Sequence, residues 1–303
     1  MKRFLMYIVL LLLVLICVAG FAIYTMAADT SEADPSITLE SEQTPLATAI
    51  PAATPYDYIN EDGDTIASRF NPPPGFSRKE ADAYGEFLRS QKLLPDGSPV
   101  MLYNGEPSDR QDKHAAVLAI DVGDKDLQQC ADAALRLRCE YKFSVGDYDG
   151  IDYHLTNGFA FPYTKYREGY RLEVKGNDTR LVKTAQPDES YETFRKYLDV
   201  LFNYASTRSL FAESQAIPLN TVEIGDLFLI TGNPGHCVIM IDMCENEKGE
   251  KAVLLGQSSM PAQQIHILQL PGATQPWVYL SDIHFPLQIN DWKYSEENVR
   301  RMP

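Results

Sequence analysis

His236 is the residue on which chemistry can be hung. It stands in the run Pro234-Gly235-His236-Cys237-Val238-Ile239-Met240-Ile241-Asp242, and the run before it is Ile224-Gly225-Asp226-Leu227-Phe228-Leu229. A Gly-Asp turn thus leads into one strand and a histidine begins the next. An imidazole at the mouth of a strand can point into a cleft while the strand holds its backbone rigid, which is what a general base needs. The strand that follows returns as a hairpin, and its register sets His236 beside Gln257, Ser258 or Ser259, a shift of one residue deciding which. A carboxamide or hydroxyl there can determine which ring nitrogen carries the proton. Alternation turns Cys237 to the opposite face.

Other side chains offer weaker chemistry. Asp152-x-His154 puts two potential ligands on one face of an extended segment, and with His236 they could hold zinc. A surface pair is the commoner arrangement, so no metal and no cofactor is expected. Ser258 with His236 imitates a hydrolase dyad, but no nucleophile-elbow motif accompanies it. His114, His266 and His284 have no evident partners and read as structural. Tyr163, Tyr166, Tyr170 and Arg171 can line a sugar- or peptide-binding cleft, although their helical spacing suits core packing equally well. Cys130 and Cys139 lie about 13 Å apart along a helix, and Cys237 and Cys244 face opposite sides of a strand. Buried free thiols are therefore expected.

The elements that must position these groups follow from patterning. Ser77-Arg78-Lys79-Glu80 fits a capping box with Phe76 as a staple, ahead of the stripe Ala81, Tyr84, Phe87 and Leu88. Val100 to Tyr103 and Ala116 to Val122 read as strands. Asp124 can cap a helix carrying Cys130, Ala133, Ala134, Leu137 and Tyr141. A longer helix follows Pro187, with Tyr191, Phe194, Leu198, Leu201, Phe202 and Ala205 inward. The last third is β-rich: 226–231, 236–243, 251–258 and 264–268 are separated by turn formers. Helices followed by an antiparallel sheet predict an α+β fold.

The whole chain sets the address. It has 303 residues, 45% of them hydrophobic, with a formal charge of −15. This is globular composition for one large domain with appendages, and its acidity argues against a nucleic-acid partner. Residues 4–27 are uncharged and follow Lys2 and Arg3, which predicts a transmembrane anchor with residues 1–3 cytoplasmic and the remainder outside. A cleaved signal peptide ending near Ala27, and hence secretion, is the competing reading, but the apolar core is longer than such peptides use. Residues 28–56 read as a flexible linker and 57–303 as a single extracytoplasmic α+β domain.

Two resemblances add to this. Gly225-Asp226-Leu227 followed by Gly235-His236-Cys237-Val238-Ile239 resembles the Gly-Asp-strand, Gly-His-strand signature of NlpC-type papain-like cysteine peptidases and amidases. That clan implies a Cys at a helix start upstream of the His and a polar group downstream. Leu155-Thr156-Asn157-Gly158-Phe159 is similar to the upstream element, with Thr156 at the nucleophile position, and Gln257 is similar in placement to the third group. An internal Thr hydroxyl is not ionised near neutral pH, and Pro162 interrupts a helix running from Thr156 unless that helix begins near Pro162. More widely, Gln128-Gln129-Cys130-Ala131-Asp132-Ala133, Arg136-Leu137-Arg138-Cys139-Glu140-Tyr141, Thr156-Asn157-Gly158-Phe159, Gly169-Tyr170-Arg171, Pro234-Gly235-His236 and 257–263 resemble the bacterial domain of unknown function family 4846.

These readings combine into an expectation. The chain is a membrane-anchored extracytoplasmic protein, papain-like in its C-terminal half, that hydrolyses peptide or amide bonds of the cell envelope. His236 is the base, Gln257 its orienting or oxyanion-stabilising partner and Thr156 the nucleophile position, with Asp152, His154, Asn157, Ser258, Ser259 and Gln263 around the cleft. Peptidoglycan or another envelope component is the expected partner. The alternative is a catalytically inactive module binding envelope material or a protein through the same cleft, and a purely structural His236 is the third reading.

Overall fold

The computed structural model describes residues 56–303. The expected anchor at 4–27 and nearly all of the linker lie outside the described residues. Among the described residues no helix is long and apolar enough to cross a membrane.

In chain order the elements are α1 (Ile66–Arg69), β1 (Phe76–Ser77), α2 (Ala83–Arg89), β2 (His114–Val117), α3 (Cys130–Ser144), β3 (Asp152–His154), β4 (Ala160–Pro162) and α4 (Tyr163–Arg167). There follow β5 (Tyr170–Lys175), β6 (Asp178–Lys183), α5 (Tyr191–Tyr204), α6 (Thr207–Glu213), β7 (Gln215–Ala216), β8 (Leu227–Ile230) and β9 (His236–Asn246). The chain closes with β10 (Lys251–Gln257), β11 (His266–Leu268), β12 (Trp277–Tyr279), β13 (Leu287–Ile289), β14 (Trp292–Tyr294) and β15 (Val299–Arg301). The fold is α+β, built on one antiparallel sheet in the order β2-β11-β10-β9-β8-β15-β7, with β1 added to β9 and β12 to β10. Three two-stranded hairpins, β3-β4, β5-β6 and β13-β14, stand apart from it.

The sheet is covered on both faces. Cys237, Ile239, Ile241, Ala252 and Leu254 pack with Ala133, Ala134 and Leu137 of α3 and Phe194, Leu198 and Leu201 of α5. Val238, Met240, Val253 and Leu255 point the other way, to a layer containing Ile283, Ile289 and Tyr294. Because both sides are buried, β9 reads as a continuous apolar run rather than an alternating one. One residue of β9 is bulged out where Leu254 pairs with Asp242 and Leu255 with Met240. Asp242 is wholly buried, held by Arg78 at 2.6 Å and Arg89 at 2.8 Å, so the N-terminal segment is tied to the sheet by a paired charge.

Several expected boundaries are corrected. The first stripe forms α2 only from Ala83, capped by Asp82, whose Oδ1 accepts from Gly85 N at 2.7 Å. Ser77 instead pairs with Glu245 in the sheet, which outcompetes a local cap. Residues 100–103 form only isolated bridges, at Met101 and Leu102, and the next strand is 114–117. Tyr191 at the start of α5 is 48% exposed rather than inward, as its first-turn position allows. The change with most consequence is at α3. Residues 124–129 make turns, with Leu127 N bonded to Lys125 O and Gln129 N to Leu127 O, and the helix starts at Cys130, not after Asp124.

Candidate active site

β9 and β10 bring His236 and Gln257 together. The antiparallel register sets the start of one strand beside the end of the other, and His236 Nε2 lies 2.8 Å from Gln257 Oε1. The amide continues to His266 at the start of β11, its Nε2 being 3.4 Å from His266 Nε2, and His266 Nδ1 lies 3.0 Å from the Gln264 carbonyl. Trp292 of β14 covers His236 with its ring parallel, centroids 4.7 Å apart and planes within 5°.

This relay determines the tautomers. A carbonyl oxygen only accepts, so His266 Nδ1 must carry a hydrogen and its Nε2 must accept from the Gln257 NH2. Oε1 then faces His236 and takes a hydrogen from Nε2–H. His236 Nδ1 is left with its lone pair, and among the described residues no hydrogen-bond partner stands at it. Burial pushes both imidazoles down to about 4, the Gln257 bond and Asp291 opposing this at His236 and the Gln264 carbonyl at His266. Both rings are therefore neutral near pH 7, as the tautomer argument requires.

The second half of the site comes from α3. Gln129 precedes the helix, and its N–H is accepted by Asp132 Oδ2 at 3.1 Å, fixing the first turn. Cys130, the first helical residue, is turned onto the start of β9. Its Sγ is 4.0 Å from the Gly235 carbonyl and also meets the Cys237 N–H, so the thiol abuts both peptide groups that flank His236. Gly235 is required there by space: a Cβ would come 2.3 Å from Thr207 Oγ1. Burial, with Asp132 adding to it, pushes the Cys130 thiol up to about 11. Ser258 stitches the two halves, its hydroxyl lying 3.0 Å from the Gln128 carbonyl and 2.8 Å from that of Gln263.

Two hollows open on this region. One of about 340 Å³ is lined by Gln257, Ser259, Gln263, His266 and Trp292. The other, of about 320 Å³, is lined by Cys130, Asp132, Ser206, Thr207 and Gly235. Met260, 46% exposed, borders both.

The residues singled out from the sequence therefore fall into two groups. His236, Gln257, Ser258, Ser259 and Gln263 gather at the end of the sheet. Asp152, His154, Thr156 and Asn157 belong to the β3-β4 hairpin: His154 Nδ1 pairs with Glu213, and Asn157 Nδ2 reaches Thr179 Oγ1 at 2.7 Å. Thr156 Oγ1 lies 2.9 Å from both the Tyr204 carbonyl and Ser206 Oγ, and it is not among the contacts of His236 or Gln257. The helix after it starts at Tyr163, directly behind Pro162, as the ring's fixed φ favours. Tyr163 and Tyr166 are buried in the aromatic core beside Phe161, Phe194 and Tyr197 rather than lining a cleft. His266 is not the partnerless histidine the sequence suggested. Among the described residues no group of three or more His, Cys, Asp or Glu is placed to hold a metal.

All four cysteines of the described residues are free and buried. Cys130 was hidden by the misplaced helix start, which put it in a helix interior. Gln129 and Asp132, three apart and flanking it, were the capping signal that could have found it.

A family model described as Domain of unknown function (4846) matches residues 66–301. The chain belongs to that family. The match begins with α1 and ends in β15, so it spans the whole sheet and both halves of the site. No curated protein and no solved structure matches the chain.

Proposed function

We propose that this member of the 4846 family is a thiol hydrolase of papain-like layout that cleaves amide or peptide bonds, with Cys130 as nucleophile, His236 as general base and Gln257 holding the imidazole. The observation that carries this is the thiol at the start of a 15-residue helix, set against both peptide groups flanking His236, whose unpartnered Nδ1 is the basic nitrogen. Helix-borne thiol, strand-borne imidazole and next-strand carboxamide occur in the chain order of papain-like enzymes, with Cys130 taking the place that Thr156 held in the sequence reading.

The chemistry balances with these groups. Sγ attacks the acyl carbon, the C=O electron pair moves onto oxygen, and the thiol proton passes to His236 Nδ1. Collapse expels the amine, which takes the proton from the imidazolium, and leaves a thioester. Water, deprotonated by the same Nδ1, then releases the acid and restores the thiol. Burial keeps the resting pair as thiol and neutral imidazole, so the proton moves during attack and not before it. The substrate class is amide-linked envelope material, peptidoglycan included, met outside the membrane on a domain tethered by residues 4–27.

The test is turnover of envelope fragments by full-length protein. Cys130→Ala, which removes one buried sulfur atom, should abolish it at only a small loss of stability. His236→Ala should do the same at some loss of stability, since it opens a hole under Trp292. Thr156→Ala should retain turnover. Full turnover in folded Cys130→Ala refutes the thiol mechanism. The depth of the thiol, only 5% exposed, favours the second reading, a non-catalytic module that binds the same material. Binding that survives both variants, with no turnover by the wild type, selects it.

A further inference from the structure

The first turn of α3 carries a second buried acid function that the thiol–imidazole pair does not use. Asp132 is 6% exposed and lines the same hollow as Cys130. One carboxyl oxygen, Oδ2, accepts from Gln129 N–H, while Oδ1 has no hydrogen-bond partner. A buried, unpartnered carboxyl oxygen costs free energy, and here it is kept beside the candidate nucleophile at the positive end of a helix. We propose that Asp132 is a catalytic residue of this site, in which Oδ1–H donates a hydrogen bond to the acyl oxygen of the substrate as negative charge builds on it. This rests on the Cys130 reading of the preceding section.

The protonation follows from the surroundings. Burial pushes the carboxyl up to about 8, opposed only by main-chain N–H groups, so it is mostly protonated at neutral pH. Since Oδ2 already accepts from Gln129 N–H, the hydrogen sits on Oδ1, where no protein group consumes it. The titratable groups around it are Cys130 on its own helix, Cys237 from β9 and Asp126 from the preceding loop. Both thiols are pushed up by burial and stay neutral, and Asp126 Oδ1 is occupied by Ala262 N–H and Gln129 Nε2. When Sγ attacks, the carbonyl pair becomes an oxyanion, and a neutral acid in a water-poor hollow stabilises it as an oxyanion-hole donor does. A carboxylate there would repel that charge, so the same group gives the reaction an alkaline limit.

The experiment is acylation of the full-length protein by p-nitrophenyl acetate, followed as nitrophenolate release and as an acetylated Cys130 peptide by mass spectrometry, from pH 6 to 9.5. The wild-type rate should bend downward above about pH 8. Asp132→Asn, whose NH2 donates at every pH, should lose the bend and react faster than Asp132→Ala at every pH. Asp132→Ala should be about 100-fold slower than the wild type below pH 8, the usual cost of one oxyanion donor, and should show no bend. Equal rates for the Asn and Ala variants overturn the proposal, because charge on the thiol would then be the whole effect. A bend that persists in Asp132→Asn overturns it too, and this arm decides even if the Ala variant does not fold. Failure of the underlying reading looks different: Cys130→Ala would release nitrophenolate at the wild-type rate, or Cys130 would carry no acetyl group.

Discussion

A single carboxamide does most of the positioning at the candidate site. Gln257 presents one acceptor and one donor face, and its two imidazole neighbours use one each, so each neutral histidine is held in a different tautomer. Neither ring gains an ionic partner from it, which leaves burial as the main influence and both histidines near 4. Gln257→Glu inserts a carboxylate of almost the same shape between them. The charged form of an adjacent imidazole is then favoured, and at least one of the two should titrate above 6 in a proton NMR pH series. If both still titrate near 4, the relay as drawn is wrong. Ordinary sequence reasoning reaches the pair His236 and Gln257, since strand alternation and hairpin register confine the partner to three positions. It does not reach Cys130 or His266. Nothing local says that the 124–129 segment makes turns, and no spacing rule connects residue 266 to residue 236.

The elements explain why glycines precede β8 and β9. Gly225 holds φ +93° in the turn before β8, and a Cβ on it would lie 2.5 Å from the Tyr84 ring of α2. The left-handed backbone costs a non-glycine residue about 1–2 kcal/mol and forced overpacking about 1–3 kcal/mol. Gly225→Ala should therefore lose about 2–4 kcal/mol in denaturant unfolding, with the slope unchanged. A loss below about 0.5 kcal/mol would show that Tyr84 moves aside freely. This contact also shows how strands and helices differ in legibility. The β9-β10 hairpin was visible because apolar runs and turn residues are local signals. The starts of α2 and α3 were misread because distant partners decide them: β9 takes Ser77 into the sheet, and Cys130 is packed down onto that same strand.

Across the whole molecule the buried titratable groups set a pH profile for folding. His236 and His266 have folded values near 4 against an ordinary 6.5, so the native state holds fewer protons than the unfolded chain between those limits. Stability is lost as pH falls through that window, by about 3 kcal/mol for each ring. Asp132 acts in the opposite sense. Its folded value near 8 against 3.8 makes the native state hold an extra proton, so stability is lost as pH rises toward 8. Between about 4 and 6.5 the two histidines outweigh the one acid. Above 6.5 Asp132 acts alone, and the buried thiols, pushed above their ordinary range, extend the alkaline decline. Stability should peak near pH 6.5, and Asp132→Asn should flatten the fall between 6.5 and 8, measured by thermal unfolding across the series. A wild-type profile that is flat from 5 to 8 contradicts the burial argument.

At this scale the division between sequence and structure is physical. Patterning alone was enough for the α+β class, the hairpin bearing His236 and the buried free thiols, because periodicity and turn chemistry act over a few neighbouring residues, while the motif strings carried the resemblance to the 4846 family. The site itself needed three dimensions. Whether Thr156 or Cys130 meets the His236 strand depends on which helix is pressed onto the sheet and where its first turn begins. That is settled by packing both faces of β9 at once, a condition that no short stretch of the chain contains.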